Sequence, residues 1–224
     1  MKEIYLAGGC FWGAERYLQL IPGVVRTEVG FANGNTPDPT YEQVYTDATG
    51  YAETVRVQYD PRTVSLRFLL EMYFKAIDPL SLNRQGHDTG TRYRTGIYWS
   101  DPEDEAVVRE TAAGVAAALG APLAVELEPL RNFHPAEEYH QNYLVKNPGG
   151  YCHLSPALFE LARNAREEQK KETGSSPPPD AGVRSGSGAD AGIFVPGKGN
   201  LWKKMERSVK WWEIITIFAT SVKE

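Results

Sequence analysis

The stretch Gly8-Gly9-Cys10-Phe11-Trp12-Gly13 places one of the two cysteines of the chain between glycines and two large aromatic residues. Residues 3–7 before it have the apolar pattern of a short β-strand, and residues 14–20 after it have that of a helix that stops at Pro22-Gly23. Cys10 is therefore predicted to lie at a strand-to-helix junction, where unpaired backbone N–H groups favour an anion and make the thiol a better thiolate. The alternative is an inert thiol in the core, where most free cysteines lie.

The size and charge of the chain argue against several classes of function. With 224 residues, of which 42% are hydrophobic and 24% charged, the chain forms one ordinary domain or one domain with an appendage. The net charge of -5 argues against nucleic acid as the main partner. No Cys-x-x-Cys or His-x-x-x-His pair suggests a zinc site. We therefore expect no bound metal ion and no nucleic-acid partner. We also expect a monomer, since no feature of the sequence requires an oligomer.

Cysteine usage and hydropathy indicate where the protein works. The first strand begins at once, which leaves no room for a signal peptide, and no apolar run reaches the 18 residues that a membrane-spanning helix requires. Two cysteines without an export signal favour a reducing compartment, where thiols are more often reactive than structural. The predicted localisation is cytoplasmic.

Strand and helix patterns are intermixed along the first three quarters of the chain. Residues 53–59 form the clearest strand, because apolar and polar residues alternate there. Further strands are predicted at 24–31, 96–99 and 124–127. Helices are predicted at 41–45, 65–77, 102–119, 136–145 and 156–171, with Thr40 as a cap of the first and Ser100 or Asp101 as a cap of the third. We expect an α/β fold of α+β layers: a mixed β-sheet with flanking helices and a ferredoxin-like core.

Three further features can support redox chemistry at Cys10. Residues 78–95 form a long irregular segment rich in polar groups, Asp88 among them, and such segments inside a compact domain are usually functional. Glu53 begins the clearest strand, and Cys152 follows two glycines in a loop. Together they suggest that a thiolate attacks an electrophilic centre, that a second thiol resolves the product and that nearby acids supply protons.

The last fifty residues differ in character from the rest. In residues 174–192, 15 of 19 positions are Gly, Ser, Pro or Ala, which is typical of a flexible linker. Residues 193–224 carry six basic residues against three glutamates, with apolar residues at helical spacing. This basic amphipathic tail is suited to a partner groove or an anionic membrane surface. The alternatives are an element docked on the catalytic domain, predicted at 1–173, or an unrelated appendage, and residues 211–218 could equally form a strand.

Five blocks of sequence together resemble the peptide methionine sulfoxide reductases of class A, which act on the S-epimer of the sulfoxide. The blocks are Gly9-Cys10-Phe11-Trp12-Gly13, Thr40-Tyr41-Glu42-Gln43-Val44, Gly50-Tyr51-Ala52-Glu53, Gln85-Gly86-His87-Asp88-Thr89-Gly90-Thr91-Arg92-Tyr93-Arg94 and Glu138-Tyr139-His140-Gln141. They lie in order within about residues 3–160, whereas the tail has no counterpart in the family pattern. His87 and Tyr51 depart mildly from that pattern, since relatives often carry Asn and His at these positions.

The resemblance implies a role for each residue around the sulfoxide sulfur. Cys10 is the nucleophile, and its attack releases methionine and leaves a sulfenic acid. Phe11 and Trp12 form an apolar wall for the substrate methyl group, which gains from burial, whereas the S=O dipole requires hydrogen-bond donors. Glu53 is the acid that protonates the sulfoxide oxygen. It must therefore be protonated near neutral pH, which requires a raised pKa in a poorly solvated pocket.

The resemblance also implies groups around the sulfoxide oxygen and a route back to the reduced enzyme. Tyr41 and Tyr93 donate hydrogen bonds to that oxygen, and Asp88 orders the pocket through water. Cys152 stands where many relatives have a resolving cysteine, so a Cys10–Cys152 disulfide is expected, which thioredoxin reduces. The implied substrates are free methionine sulfoxide or oxidised proteins. No cofactor is implied beyond the external thiol reductant.

Other interpretations of these residues remain open at this point. Cys152 could be a spectator thiol, with another reductant acting on Cys10, and packing is the preferred interpretation of Tyr139 and His140. A thiol hydrolase that uses Cys10 would need a histidine with an acidic partner, and no histidine has an evident one. A non-enzymatic module that recruits a partner through the tail is a further alternative.

Overall fold

The computed structural model describes residues 1–167, so the predictions for residues 174–192 and 193–224 lie outside the described residues. The strands are β1 (Lys2–Gly8), β2 (Val24–Ala32), β3 (Ala52–Tyr59), β4 (Arg84–Gln85), β5 (Asp88–Thr89), β6 (Thr95–Trp99), β7 (Glu126–Pro129) and β8 (Phe133–Pro135). The helices are α1 (Phe11–Gln19), α2 (Tyr41–Tyr45), α3 (Leu66–Ala76), α4 (Asp104–Leu119), α5 (Tyr143–Lys146) and α6 (Pro156–Arg163), and Thr91–Tyr93 form a short 3-10 helix.

Six of the strands form one mixed sheet in the order β7-β6-β1-β3-β2-β8. Neighbours pair antiparallel except β6 and β7, which are parallel. The four inner strands run in the order β6-β1-β3-β2, with α1 between β1 and β2 and α3 between β3 and β6. This is the β-α-β-β-α-β arrangement of ferredoxin-like folds. The predicted mixed sheet with flanking helices and a ferredoxin-like core is confirmed.

Strand β3 has the alternation that the sequence predicts, and its apolar face is entirely inside the core. Val55, Val57 and Tyr59 are at most 1% exposed. Glu53 has the same parity and therefore lies on the same face of the strand. The strand thus carries one carboxyl group, Glu53, on a face that is otherwise apolar, at the end of β3 that pairs with Phe31 of β2.

The start of helix α2 follows its local sequence as predicted, whereas the starts of two other helices differ from the prediction. Thr40 caps α2 with a complete capping box, in which its side chain accepts from Gln43 N–H and the Gln43 side chain accepts from Thr40 N–H. Helix α1 begins directly at Phe11, three residues earlier than predicted, with Cys10 as its N-cap. Helix α4 begins only at Asp104 and has no side-chain cap, so the predicted cap at Ser100 or Asp101 is wrong. The Asp101 carboxylate instead accepts from Glu103 N–H and pairs with Lys2 across the sheet.

The predicted helix at 136–145 is wrong, and the reason is tertiary. The side chain of Gln141 accepts from Val29 N–H at 2.9 Å and donates to Val29 O at 2.8 Å, so it occupies the edge of β2 as a pairing strand would. Asn142 follows with φ 54°, a left-handed conformation that ends any helix reaching it. The four-residue helix α5 begins only after this residue.

Candidate active site

Cys10 occupies the junction of β1 and α1 and is 7% exposed. Burial raises its pKa well above the usual value, and the nearby carboxyl groups of Glu53 and Asp88 raise it further. The backbone N–H groups of Trp12 and Gly13 at the start of α1 lower it. The predicted effect of the helix terminus is therefore present, but the predicted net gain in thiolate is wrong for the substrate-free protein, because burial outweighs it.

Glu53 is the buried acid of the site, at 1% exposure. Its Oε2 accepts from the N–H of Phe11, the residue after Cys10, at 3.0 Å. Burial raises the pKa of Glu53 to about 8, although the Phe11 N–H and the Arg92 charge oppose the shift. The carboxyl group is therefore largely protonated at neutral pH, beside the only cysteine that begins a helix in the described residues.

Two tyrosines from distant parts of the chain lie close enough to Glu53 and Cys10 to feel their charges. Tyr41 opens α2, and Tyr93 ends the short 3-10 helix. Burial raises the pKa of both phenols, that of Tyr93 to about 12, and the charges of Glu53 and Cys10 add to the shift in both cases. Both hydroxyl groups therefore stay protonated at neutral pH and can donate hydrogen bonds.

Arg92 holds this part of the pocket in place. Its guanidinium lies 4.5 Å from the centre of the Tyr93 ring and 4.2 Å from that of the Tyr45 ring. Asp47 fixes the guanidinium through a 2.8 Å ion pair and accepts from the Arg92 backbone N–H at 3.0 Å. The position of Tyr93 thus depends on a loop more than forty residues earlier in the chain.

Phe11 and Trp12 contribute differently to the pocket. Phe11 is 1% exposed and packs against Phe31, with ring centroids 5.9 Å apart. Trp12 is only half-buried, stacks on Tyr143 at 3.8 Å and 15°, and donates from Nε1 to Nδ1 of His140 at 3.1 Å. The available apolar surface is therefore the Trp12–Tyr143 pair, whereas Phe11 is enclosed in the core.

His140 lies among the aromatic residues of the site rather than at its reacting end. It is 1% exposed, and its ring centroid lies 4.5 Å from that of Tyr41 and 3.9 Å from that of Tyr139. Burial lowers its pKa, so it is neutral and can accept the Trp12 N–H. These contacts fit the interpretation of His140 and Tyr139 as packing residues.

Asp88 connects the pocket to the loop that carries Cys152. Its Oδ1 accepts from the hydroxyl of Tyr151 at 2.8 Å, and its Oδ2 lies 3.9 Å from Nδ1 of His153. The Asp88 charge also raises the pKa of both Cys10 and Glu53. The carboxylate therefore faces the pocket and at the same time contacts both neighbours of Cys152.

Cys152 is a half-buried free thiol over the first turn of α1. Its Sγ lies 3.0 Å from the position that a β-carbon on Gly13 would take, and it accepts from Leu154 N–H at 3.4 Å. Burial raises its pKa. The structure thus brings the second cysteine to the same turn of helix that Cys10 begins.

The sequence interpretation missed three residues of this site. Glu15 is 1% exposed, and its carboxylate accepts from Asn142 N–H at 2.9 Å, which anchors the chain directly before Tyr143. Tyr151 and His153 flank Cys152 and contact Asp88. One signal was available for Glu15. It is a carboxylate five residues after Cys10, in a stretch whose other residues are apolar or small. His153 supplies the histidine with an acidic partner that the sequence did not show.

Other possible sites are less well supported within residues 1–167. No group of three or more His, Cys, Asp and Glu side chains there is arranged to hold a metal ion. In the same part of the chain, no helix combines the length and the apolar character needed to cross a membrane. A polar surface cavity of about 440 Å³ lies along residues 24–28 of β2, and none of the predicted site residues lines it.

Comparison with known proteins gives a single family. A family model described as peptide methionine sulfoxide reductase matches residues 2–173. The peptide methionine sulfoxide reductase MsrA of Clostridium acetobutylicum is 54% identical over 160 residues, which are 71% of this chain and 99% of that protein. The MsrA of Mycoplasma pneumoniae is 50% identical over 154 residues, which are 69% of this chain and 98% of that protein.

Solved structures lead to the same group. Mxr1 of Saccharomyces cerevisiae in its reduced form superposes with a TM-score of 0.65 at 36% identity, over 69% of this chain and 91% of that one. The methionine sulfoxide reductase A of Corynebacterium diphtheriae superposes with a TM-score of 0.61 at 42% identity, over 67% of this chain and 77% of that one.

Proposed function

Since this chain belongs to the peptide methionine sulfoxide reductase family, class A, it is an oxidoreductase that reduces methionine sulfoxide to methionine, and we propose that Cys10 and Glu53 carry that reaction. The observation that carries the proposal is the contact between Glu53 Oε2 and Phe11 N–H at 3.0 Å. It fixes a carboxyl group with a pKa of about 8 beside the nucleophile. An acid that is protonated at neutral pH is what a sulfoxide oxygen needs as it gains negative charge.

The first step transfers oxygen from the substrate to the enzyme. Cys10 sulfur attacks the sulfoxide sulfur while Glu53 gives its proton to the sulfoxide oxygen, and Glu53 takes back the proton of the Cys10 thiol. The new bond between the two sulfurs and the S–O bond of the substrate then break as the hydroxyl group passes to Cys10, and methionine leaves. Cys10 ends as a sulfenic acid. The substrate sulfur gains the two electrons that Cys10 loses, and no cofactor is required.

The proposed pocket binds the two ends of the sulfoxide differently. The methyl group lies against the indole of Trp12, whose plane is fixed by Tyr143 and His140. The oxygen lies at the hydroxyl groups of Tyr41 and Tyr93, which burial keeps protonated. A pocket with one apolar wall and donors on the other side distinguishes the two epimers of the sulfoxide, and we assign it to the S-epimer.

Cys152 completes the proposed cycle. Its thiol attacks the sulfenic acid of Cys10, a disulfide forms and water leaves. The position of Sγ over Gly13, three residues after Cys10, supports this assignment. A dithiol protein of the thioredoxin type then reduces the disulfide, and free or protein-bound methionine sulfoxide serves as substrate.

A single incubation tests the proposal. The reduced protein is mixed with free methionine S-sulfoxide without any reductant, and both products are measured by mass spectrometry. We expect one equivalent of methionine per chain and a Cys10–Cys152 disulfide. If no methionine forms, the roles of Cys10 and Glu53 are wrong; if methionine forms without a disulfide, only the role of Cys152 is wrong.

A further inference from the structure

His153 is a buried imidazole whose nitrogens are not used within residues 1–167. Its side chain is 4% exposed, and neither Nδ1 nor Nε2 meets the full geometry of a hydrogen bond there. Burial lowers its pKa more than the Asp88 charge and the Gly8 backbone raise it, so the ring is neutral in the resting enzyme. Buried polar atoms are nearly always paired, so two unpaired nitrogens on one ring require an explanation.

One carboxylate oxygen of Asp88 also needs an explanation. Its Oδ2 is buried without a hydrogen bond within the described part of the chain, and it lies 3.9 Å from Nδ1 of His153. This separation is too short for an intervening water and about 1 Å longer than a charged N–H···O bond. A proton on His153 would therefore close the gap and form an ion pair with Asp88.

The position of the ring relates this pair to the two cysteines. Nδ1 and Cε1 of His153 lie 3.3 Å from the β-carbon position of Gly13, and Cys152 Sγ lies 3.0 Å from the same point. Nε2 lies 3.3 Å from the corresponding position of Gly9, the residue before Cys10. The imidazole therefore lies across Gly9 and Gly13, on either side of Cys10, and it shares the space above Gly13 with the sulfur of Cys152.

We propose that His153 is the general base of the second step, which takes the proton from the Cys152 thiol and is stabilised as imidazolium by Asp88. This proposal rests on the proposed role of Cys152. It assigns a base to the second step, for which none of the residues of the first step is proposed. Cys152 needs such a base because burial makes its thiol a weaker acid.

The step balances without another reactant. The Cys152 thiol gives its proton to His153, and its sulfur attacks the sulfur of the Cys10 sulfenic acid. The S–S bond forms as the S–O bond of Cys10 breaks. The leaving hydroxide takes up the proton held by His153 and departs as water, which returns the ring to its neutral form.

The test separates the two steps in the full chain carrying His153→Gln, which removes the base and keeps much of the volume. One turnover with methionine S-sulfoxide is quenched at intervals, and methionine, dimedone-trapped sulfenic acid and disulfide are quantified. We expect methionine to form at the wild-type rate. The disulfide should form on the order of 10²-fold more slowly, and added imidazole should restore part of that rate. His87→Gln, an exposed histidine next to Asp88, should behave as wild type in both steps.

Each outcome decides the matter. Disulfide formation at the wild-type rate in His153→Gln overturns the proposal, and so does an equal loss of both steps, since that would show a structural role. If His153→Gln does not fold, His153→Asn replaces it, because its side chain is smaller and equally without basicity. A wild-type protein that forms methionine but no disulfide refutes the role of Cys152 itself and is distinguished in this way from failure of His153.

Discussion

The sulfur of Cys152 lies 3.0 Å from the point that a β-carbon on Gly13 would occupy. Glycine is thus the residue that lets the Cys152 loop approach α1 this closely, although glycine is unfavourable inside a helix by about 1 kcal/mol relative to alanine. The close approach matters because Gly13 lies in the helical turn that Cys10 begins.

Gly13→Ala should therefore slow the second step and leave the first intact. The added methyl group is too close to Cys152 Sγ and to the His153 ring, so these side chains must shift away from α1 by a few tenths of an ångström. We expect disulfide formation to slow at least tenfold in single turnover and methionine release to be unchanged. Gly149→Ala is the matched control, since its methyl group would meet no atom within 4 Å. Equal disulfide rates in the two variants would contradict the expectation.

Glu53→Gln tests the acid of the first step. Gln has the size of Glu, and its side-chain oxygen can still accept from Phe11 N–H, so the fold should be retained. It cannot donate a carboxyl proton, and methionine release in single turnover should fall about 10²- to 10⁴-fold. Glu42→Gln, an exposed carboxylate in the first turn of α2, serves as the control. A near-wild-type rate would remove Glu53 from the mechanism.

The stability of the protein should depend on pH through Glu53. Its pKa is about 8 when folded and near the usual 4.5 when unfolded, so the folded state binds the proton more tightly. The resulting stabilisation is complete below about pH 4.5 and is lost as pH rises to about 8. Thermal unfolding followed by circular dichroism should show Tm falling across this window. Glu53→Gln should fall less steeply, and parallel curves would show that Glu53 is not the source.

Glu15 should position the apolar wall from outside the pocket. Its carboxylate accepts from Thr27 Oγ at 3.1 Å and from Asn142 N–H at 2.9 Å, directly before the residue that stacks on Trp12. Glu15→Ala removes the buried carboxylate that both donors share, which costs about 1–3 kcal/mol in urea unfolding.

The same variant should raise KM for methionine sulfoxide more than it lowers kcat, and it should change the Trp12 fluorescence. Glu105→Ala removes an exposed helical carboxylate that pairs with Arg109, and it should change stability by less than about 0.5 kcal/mol. A KM equal to that of the wild type would show that Glu15 has no influence on the wall.

The residues beyond the predicted catalytic domain, 174–224, should be dispensable for chemistry. The family model ends at residue 173. The matched segments cover 98–99% of the MsrA proteins of Clostridium acetobutylicum and Mycoplasma pneumoniae, so these relatives have no equivalent of the tail. A chain truncated after Thr173 should therefore keep full activity on free methionine sulfoxide. Loss of activity would show that residues 174–224 complete the site.

Local sequence predicted those parts of the fold that depend on neighbours along the chain. The alternation of β3, the Thr40 cap of α2 and the apolar face of α3 were all predicted from a few consecutive residues and are confirmed. The helix predicted at 136–145 failed because the Gln141 side chain pairs with Val29, a residue 112 positions away. No local pattern contains such a contact.

The sequence by itself determined the family and the ferredoxin-like sheet and proposed the reacting groups, because motifs and periodicity are local properties of the chain. Only the tertiary structure decided which of those groups hold a proton at neutral pH and which residues lie beside them. Burial reverses the expected net shift of the Cys10 pKa and raises that of Glu53, and burial depends on what distant segments pack around a residue. For the same reason Asp88 and His153, 65 positions apart, became neighbours only in the folded chain.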